Sequence, residues 1–206
     1  MFGCVCLKKI FFVVLIFCVT FCACGQENST NEIKKIKGDN SYSAIVAIEI
    51  HGNKADSKYK VKQYYVYPDK LRIETIEPEF LKDKIIIKNG NRWKVIHPLI
   101  NQTIHTTKLM DRNELILIGI IEKSFFEDSK NNINIEEYKN KKFICIKKAF
   151  VKSNIYRSTA VLYLDNVSKK PCYLNILDQK GNLAVEIEYV NYDKDAEIQE
   201  SLFYMN

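Results

Sequence analysis

The chain has 206 residues, 47% hydrophobic and 27% charged, with 31 Lys and Arg against 25 Asp and Glu for a formal charge of +6. That length suits a single domain with a sizeable core. The basic excess is too thinly spread for a nucleic-acid interface, which needs a basic stripe interleaved with aromatics; only Lys58, Lys60 and Lys62 form a row, and their alternation marks the wet side of a strand.

The N-terminus reads as a lipoprotein-type signal peptide over residues 1–23. Lys8-Lys9 supplies the positive region, Ile10–Phe21 the apolar region, and Ala23-Cys24-Gly25 a small-residue cleavage site. The apolar run is shorter than the roughly 20 residues that a bilayer span requires. Cys24 then becomes the acylated first residue of the mature protein, and residues 24–28 make a tether. The other reading is an uncleaved anchor helix, and both place the rest of the chain outside the cytoplasm and tied to a membrane. Cleavage would remove only Lys8 and Lys9 among the charged residues, leaving a mild positive charge.

The folded domain is expected over residues 29–206. Ser29 and Glu32 have capping-box spacing, which predicts a short helix over Thr30–Lys37 ended by Gly38-Asp39-Asn40. Ser43–His51 reads as the first strand. Lys58–His97 then holds four strand-like runs cut by Pro68, Pro78, Asn89-Gly90 and Pro98. Tyr59, Val61, Tyr65 and Tyr67 share one face of the first of these runs, a period of two with one dry side. Asn89-Gly90 between β-branched runs is a hairpin signal of the type I′ kind, and Asn101–Lys108 is a further strand.

At Asp111 the rhythm changes. Asp111 and Glu114 can cap a helix over Leu115–Phe126, whose LILIGII run is apolar all round and so belongs inside. Gly119 in its middle costs about 1 kcal/mol against Ala. Glu127–Asn140 reads as a polar loop. Strands follow near Lys142–Val151, Ile155–Leu164, Cys172–Asp178 and Leu183–Tyr192, with Ile198–Tyr204 as an edge strand. The order obtained is an α+β protein: a curved antiparallel sheet, an incomplete barrel, whose concave side is plugged by the apolar helix.

Chemistry-bearing residues are few. Outside the signal segment and Cys24, only Cys145 and Cys172 remain among the cysteines; they read as two free thiols, with a disulfide left open. His97 and His105 flank Pro98, and with His51 they read as surface histidines at strand ends, so no metal site is assigned. The pairs Glu74/Glu77, Glu136/Glu137 and Glu186/Glu188 lack the setting of an acid and its nucleophile across a cleft, and Glu186/Glu188 reads as a wet edge. Neither a nucleophile elbow nor a Gly-rich phosphate loop is present, so no catalytic residue and no cofactor are assigned. Tyr64, Tyr65 and Val66 break the alternation. Tyr64, Tyr65, Tyr67, Arg72 and Trp93 therefore form the candidate partner-binding patch, with Arg72 equally suited to a structural bond to a nearby loop.

PDKLRIE at Pro68–Glu74, the KNGNRWKVIHP run and the late LYLDNVSKKPCYLNILDQKGNLAVEIEYVNY stretch resemble the outer-membrane-lipoprotein carrier (LolA-like) superfamily over about residues 41–203. Within it the chain looks most like the GerS family of germination lipoproteins from spore-forming anaerobes. That resemblance implies a spore-envelope lipoprotein between the forespore membranes, without catalysis of its own. Its implied partner is a zinc-dependent N-acetylmuramoyl-L-alanine amidase of the CwlD type that makes muramic-δ-lactam in the cortex. The carrier branch implies a hydrophobic cavity for lipids or lipoproteins, and fold analogy alone adds an envelope-stress sensor. Open sheet edges also suggest a homodimer by strand exchange.

Overall fold

A computed structural model describes residues 38–52, 54–128 and 132–205. The signal peptide, Cys24, the tether and the helix expected over Thr30–Lys37 lie outside the described residues. Within them, no helix is long and apolar enough to cross a membrane.

Eleven strands form one sheet: β1 Ser41–Ile50, β2 Ser57–Val66, β3 Lys70–Glu77, β4 Ile85–Asn89, β5 Arg92–His97, β6 Gln102–Thr106, β7 Ile133–Tyr138, β8 Lys141–Asn154, β9 Arg157–Asp165, β10 Pro171–Leu177 and β11 Leu183–Asp193. The order is β6-β5-β4-β3-β2-β1-β11-β10-β9-β8-β7, and every pairing is antiparallel. Two meanders therefore run outward from a central β1–β11 pair, and β6 and β7 remain as open edges. This is the curved, unclosed antiparallel sheet that the sequence implied.

Alternation drives the layering. In β1, Tyr42, Ala44, Val46 and Ile48 are buried while the residues between them are only half covered. Leu71 and Ile73 of β3, Leu162 and Leu164 of β9, and Ile187 and Tyr189 of β11 belong to the same buried set. The expected buried helix instead forms two short ones. Helix α1, Arg112–Leu117, starts with the anticipated capping box: Glu114 N–H donates to Asp111 Oδ1 at 3.0 Å, and Asp111 N–H donates to Glu114 Oε2 at 2.6 Å. The helix stops at Ile118 because Gly119 takes φ +82°, a left-handed backbone that ends a helix. Helix α2, Lys123–Asp128, follows, and both pack against β8. Leu115, Ile116, Ile120, Ile121, Phe125 and Phe126 are all buried, so the plug exists, folded around a break.

Three further expectations are corrected. The segment read as a loop contains β7, whose turn into β8 is made by Lys139 and Asn140 at φ +49° and +61°. Both central residues thus adopt the positive φ of a type I′ hairpin, without the glycine that usually announces one. At the β4–β5 hairpin Asn89 pairs with Arg92, so the turn residues are Gly90 and Asn91, and only Gly90 has positive φ (+60°), the type II′ pattern. The C-terminal run read as an edge strand is a 3₁₀ turn, Glu200–Phe203, with Phe203 fully buried. It packs against β3 and β4, where Arg72 Nη1 donates to Leu202 O (3.1 Å) and Asn89 Nδ2 to Phe203 O (3.3 Å).

A second apolar layer lies on the other face. There Phe143, Cys145, Val161 and Tyr163 are buried, and the Tyr138 ring stacks on Tyr163 with centroids 4.4 Å apart. Tyr138 Oη donates to Glu186 Oε2 at 3.0 Å and Lys139 Nζ also bonds Glu186, so the β7–β8 turn is fastened across to β11.

Candidate docking surface

The concave side is closed from within by polar side chains that rise from the sheet and hold the backbone of the helix break. Tyr189 Oη donates to Gly119 O at 2.7 Å, Gln63 Nε2 donates to Ile118 O, and Ile121 N–H donates to Tyr42 Oη at 3.1 Å. Each bond satisfies a backbone group that the interrupted helix leaves open. Burial pushes the Tyr42 and Tyr189 phenols well above their usual ionisation range, so both stay neutral. Gln63 lies fully buried, with its amide nitrogen engaged in the bond to Ile118 O.

Beside the plug an apolar groove of about 230 Å³ remains, lined by Ile48, Val61, Ile73, Ile86, Leu117 and Ile118 among others, with Lys84 on its wall. Cross-strand register extends this lining outward. Ile73 faces Ile86, Ile86 faces Val95, and Val95 faces Ile104. The row begins buried at Ile73, is half-buried at Ile86 and Val95, and ends on the open edge strand β6 with Ile104 53% exposed. Phe80, Leu99 and Ile100 are also exposed, and their 3₁₀ turns lie at one end of the sheet, in the β3–β4 and β5–β6 connections. An unpaired strand edge fringed by exposed apolar residues is a place where a partner strand can add. The signal was present in the alternation of KIIIK, WKVI and QTIHT, but no turn or motif marked it.

The residues singled out in the sequence are divided. Tyr65 and Trp93 are each only 3% exposed and belong to the core, so they offer no contact surface. Tyr64 is half-buried on the opposite face of β2 with Lys62 Nζ 4.9 Å from its ring centroid, and Tyr67 is 49% exposed with Lys123 Nζ 5.2 Å from its centroid. Arg72 takes the structural role: besides Leu202 O it bonds Glu74 Oε1 at 2.6 Å. Tyr64, Tyr67 and Arg72 therefore do not close into one patch with the other two.

Cys145 and Cys172 are free thiols, and burial pushes the Cys145 thiol up to about 12. Register puts Gln102 opposite His97 and Lys94 opposite His105, so these two histidines do not face each other across the strands. Glu49, His51 and Asp56 bring one ligand atom each to within 4.8 Å of one another at the β1–β2 connection. Lys58 Nζ lies 3.1 Å from Glu49, and His51 Nδ1 lies 3.4 Å from Asp56. Of the carboxylate pairs, Glu74 is held by Arg72, Glu136 by Lys147 (2.7 Å), and Glu186 by Tyr138 and Lys139. Glu186 and Glu188 lie on a central strand, not at an edge, because β11 pairs with both β1 and β10.

A family model described as "Sporulation protein YdcC-like" matches residues 4–203. The chain is 20% identical over 187 residues to the sporulation protein YdcC of Bacillus subtilis (strain 168), covering 88% of this chain and 54% of that protein. It thus spans about half the length of the curated relative it matches. Among solved structures, an uncharacterized conserved protein from Thermus thermophilus is similar with a TM-score of 0.53 and 12% identity, over 86% of this chain and 91% of that one. A second similar chain comes from the complex of the CwlD amidase from Clostridioides difficile with the GerS lipoprotein: TM-score 0.50, 22% identity, 84% of this chain and 93% of that one. At these identities the likeness shows a shared fold, and the matches indicate no catalytic family for this chain.

Proposed function

We propose that this chain, which belongs to the YdcC-like sporulation protein family, is a non-catalytic spore-envelope lipoprotein. Anchored through Cys24 outside the cytoplasm, it binds and activates a cortex N-acetylmuramoyl-L-alanine amidase of the CwlD type for muramic-δ-lactam formation. The observation that carries this reading is the apolar row Ile73–Ile86–Val95–Ile104 running out to the unpaired β6 edge, beside a concave side already filled by its own plug. The shared fold with the structure of GerS and CwlD supports it. The lipid localises the partner, and the edge offers main-chain groups together with an apolar anchor. The same edge, or β7 at the far side, is suited to strand exchange with a second copy.

The test is co-elution of the purified chain with a CwlD-type amidase, together with amidase activity in its presence and absence. A chain that neither binds nor changes the activity sinks the proposal. The second reading, a carrier of lipids or lipoproteins, rests on the 230 Å³ groove. Native mass spectrometry or solvent extraction that recovers no bound acyl chain removes it.

A further inference from the structure

At the end of the sheet where β1–β2, β8–β9 and β10–β11 turn, a second cleft of about 480 Å³ opens. This is a volume typical of small-ligand sites. Ile50, Leu183, Ala184 and Val185 give it an apolar floor, and His51, Tyr156, Arg157, Asp178 and Asn182 line the rest.

The three turns are fixed by side chain to backbone bonds. Asn154 Oδ1 accepts from Tyr156 N–H (2.9 Å) and Arg157 N–H (3.0 Å), which sets the β8–β9 turn. Asp178 Oδ1 accepts from the N–H groups of Lys180 and Asn182, both at 2.8 Å, and its Oδ2 accepts from Asn182 Nδ2 at 2.9 Å. Gln179 N–H donates to Ile155 O at 3.2 Å and Ser158 Oγ donates to Asp178 O at 2.7 Å, joining the two turns. His51 N–H bonds Ala184 O at 2.9 Å, which ties in the β1 end. The cleft is therefore held in shape before any ligand arrives.

Asp178 keeps its negative charge, but both its oxygens are saturated by the N–H groups of its own turn, and His51 lies 3.4 Å from Asp56. Arg157 has no ion-pair partner among the described residues, and Tyr156 beside it is 63% exposed at the tip of the β8–β9 hairpin. An exposed aromatic ring, apolar lining and a guanidinium engaged in no ion pair suit a ligand with an apolar ring face and a carboxylate. The ring lies on the phenol, and the Arg fork takes the carboxylate through two hydrogen bonds.

We infer that this cleft binds a carboxylate-bearing sugar of a glycan strand, stacked on Tyr156 and held by Arg157. The inference goes beyond the docking reading and uses none of its residues. A full chain that binds amidase but no sugar fails here alone.

The experiment is calorimetric titration of the full acylated chain in detergent with N-acetylmuramic acid, with N-acetylglucosamine as the neutral twin and a glutamate-containing dipeptide as the acidic non-sugar. Saturable binding of N-acetylmuramic acid at least fivefold tighter than of the other two is expected. Arg157→Gln should erase the preference over N-acetylglucosamine, Arg157→Lys should restore part of it, and Tyr156→Ala should weaken both sugars. Absence of saturable binding, equal binding of the dipeptide, or a preference that survives both Arg157→Gln and Tyr156→Ala overturns the assignment. Both side chains lie at an exposed turn, so a circular-dichroism melt unchanged from the parent protein accompanies each variant.

Discussion

Replacing Gly119 with alanine separates two accounts of the plug by the sign of its effect. As the interior of one continuous helix, residue 119 should favour Ala over Gly by about 1 kcal/mol. In the fold, Gly119 has φ +82°, where an L side chain costs about 1–2 kcal/mol. An added Cβ would also stand 3.0 Å from Ile187 Cγ2 and 3.2 Å from Val46 Cγ1. Both neighbours are fully buried and cannot move aside, so overpacking adds about 1–3 kcal/mol. The expected destabilisation is therefore about 2–5 kcal/mol. Gly181 is the internal control: its φ is +85°, but nothing lies within 4 Å of its added Cβ, so Gly181→Ala should cost the backbone part alone. Urea midpoints of the two variants and the parent protein give both numbers. If Gly119→Ala stabilises the protein, or costs no more than Gly181→Ala, the broken plug is wrong.

Tyr189→Phe should destabilise by about 1–3 kcal/mol, since it leaves the buried Gly119 carbonyl without its donor. Tyr65→Phe should be neutral or stabilising in the same unfolding assay, because the Tyr65 hydroxyl is buried with no partner among the described residues. Raising the pH should weaken the fold. Burial holds the Cys145 thiol and the Tyr163 phenol at about 12, above their unfolded values near 9 and 10, so the unfolded chain loses those protons first. Stability should be level below about pH 9 and fall from there towards pH 12; a urea midpoint unchanged between pH 8 and pH 10.5 contradicts this. At the edge, Ile104→Asp should reduce amidase co-elution at least tenfold while leaving the urea midpoint within about 0.5 kcal/mol, the range of exposed substitutions. A binding curve that matches the parent protein moves the docking surface elsewhere.

What can be read from the sequence is what short periodicity and local turn chemistry encode. The alternation in SYSAIVAIEI marks β1 and its buried face, and Asp111 with Glu114 marks the helix start, because both signals lie within a few residues. The break at Gly119 is not legible in the same way, because the bonds that favour it come from Tyr42, Gln63 and Tyr189, between 55 and 79 residues away in the chain. The same limit hides β7, whose non-glycine turn is stabilised across the sheet by Tyr138 and Lys139 on Glu186. For the site, aromatic crowding identifies Tyr64, Tyr65, Tyr67 and Trp93 but not which face each takes. Ile104 passes unmarked because a single isoleucine in QTIHT becomes an edge residue only once β6 has no outer neighbour.

The closed plug also weighs on the choice between cargo inside and partner outside. A chain entering the concave side must release the bonds from Tyr42, Gln63 and Tyr189 and expose Ile120 and Ile121. Two buried and one part-buried hydrogen bond at about 1–3 kcal/mol each, with two isoleucines at about 1.5–3 kcal/mol each, make that on the order of 6–15 kcal/mol. This equals the whole stability of an ordinary domain, about 5–15 kcal/mol, so displacing the plug amounts to unfolding the protein. A strand added at β6 meets no such barrier, because the edge groups and Ile104 already face solvent. With the central interior occupied, the proposed docking falls to the apolar row that leads from the plug to the open edge of the sheet.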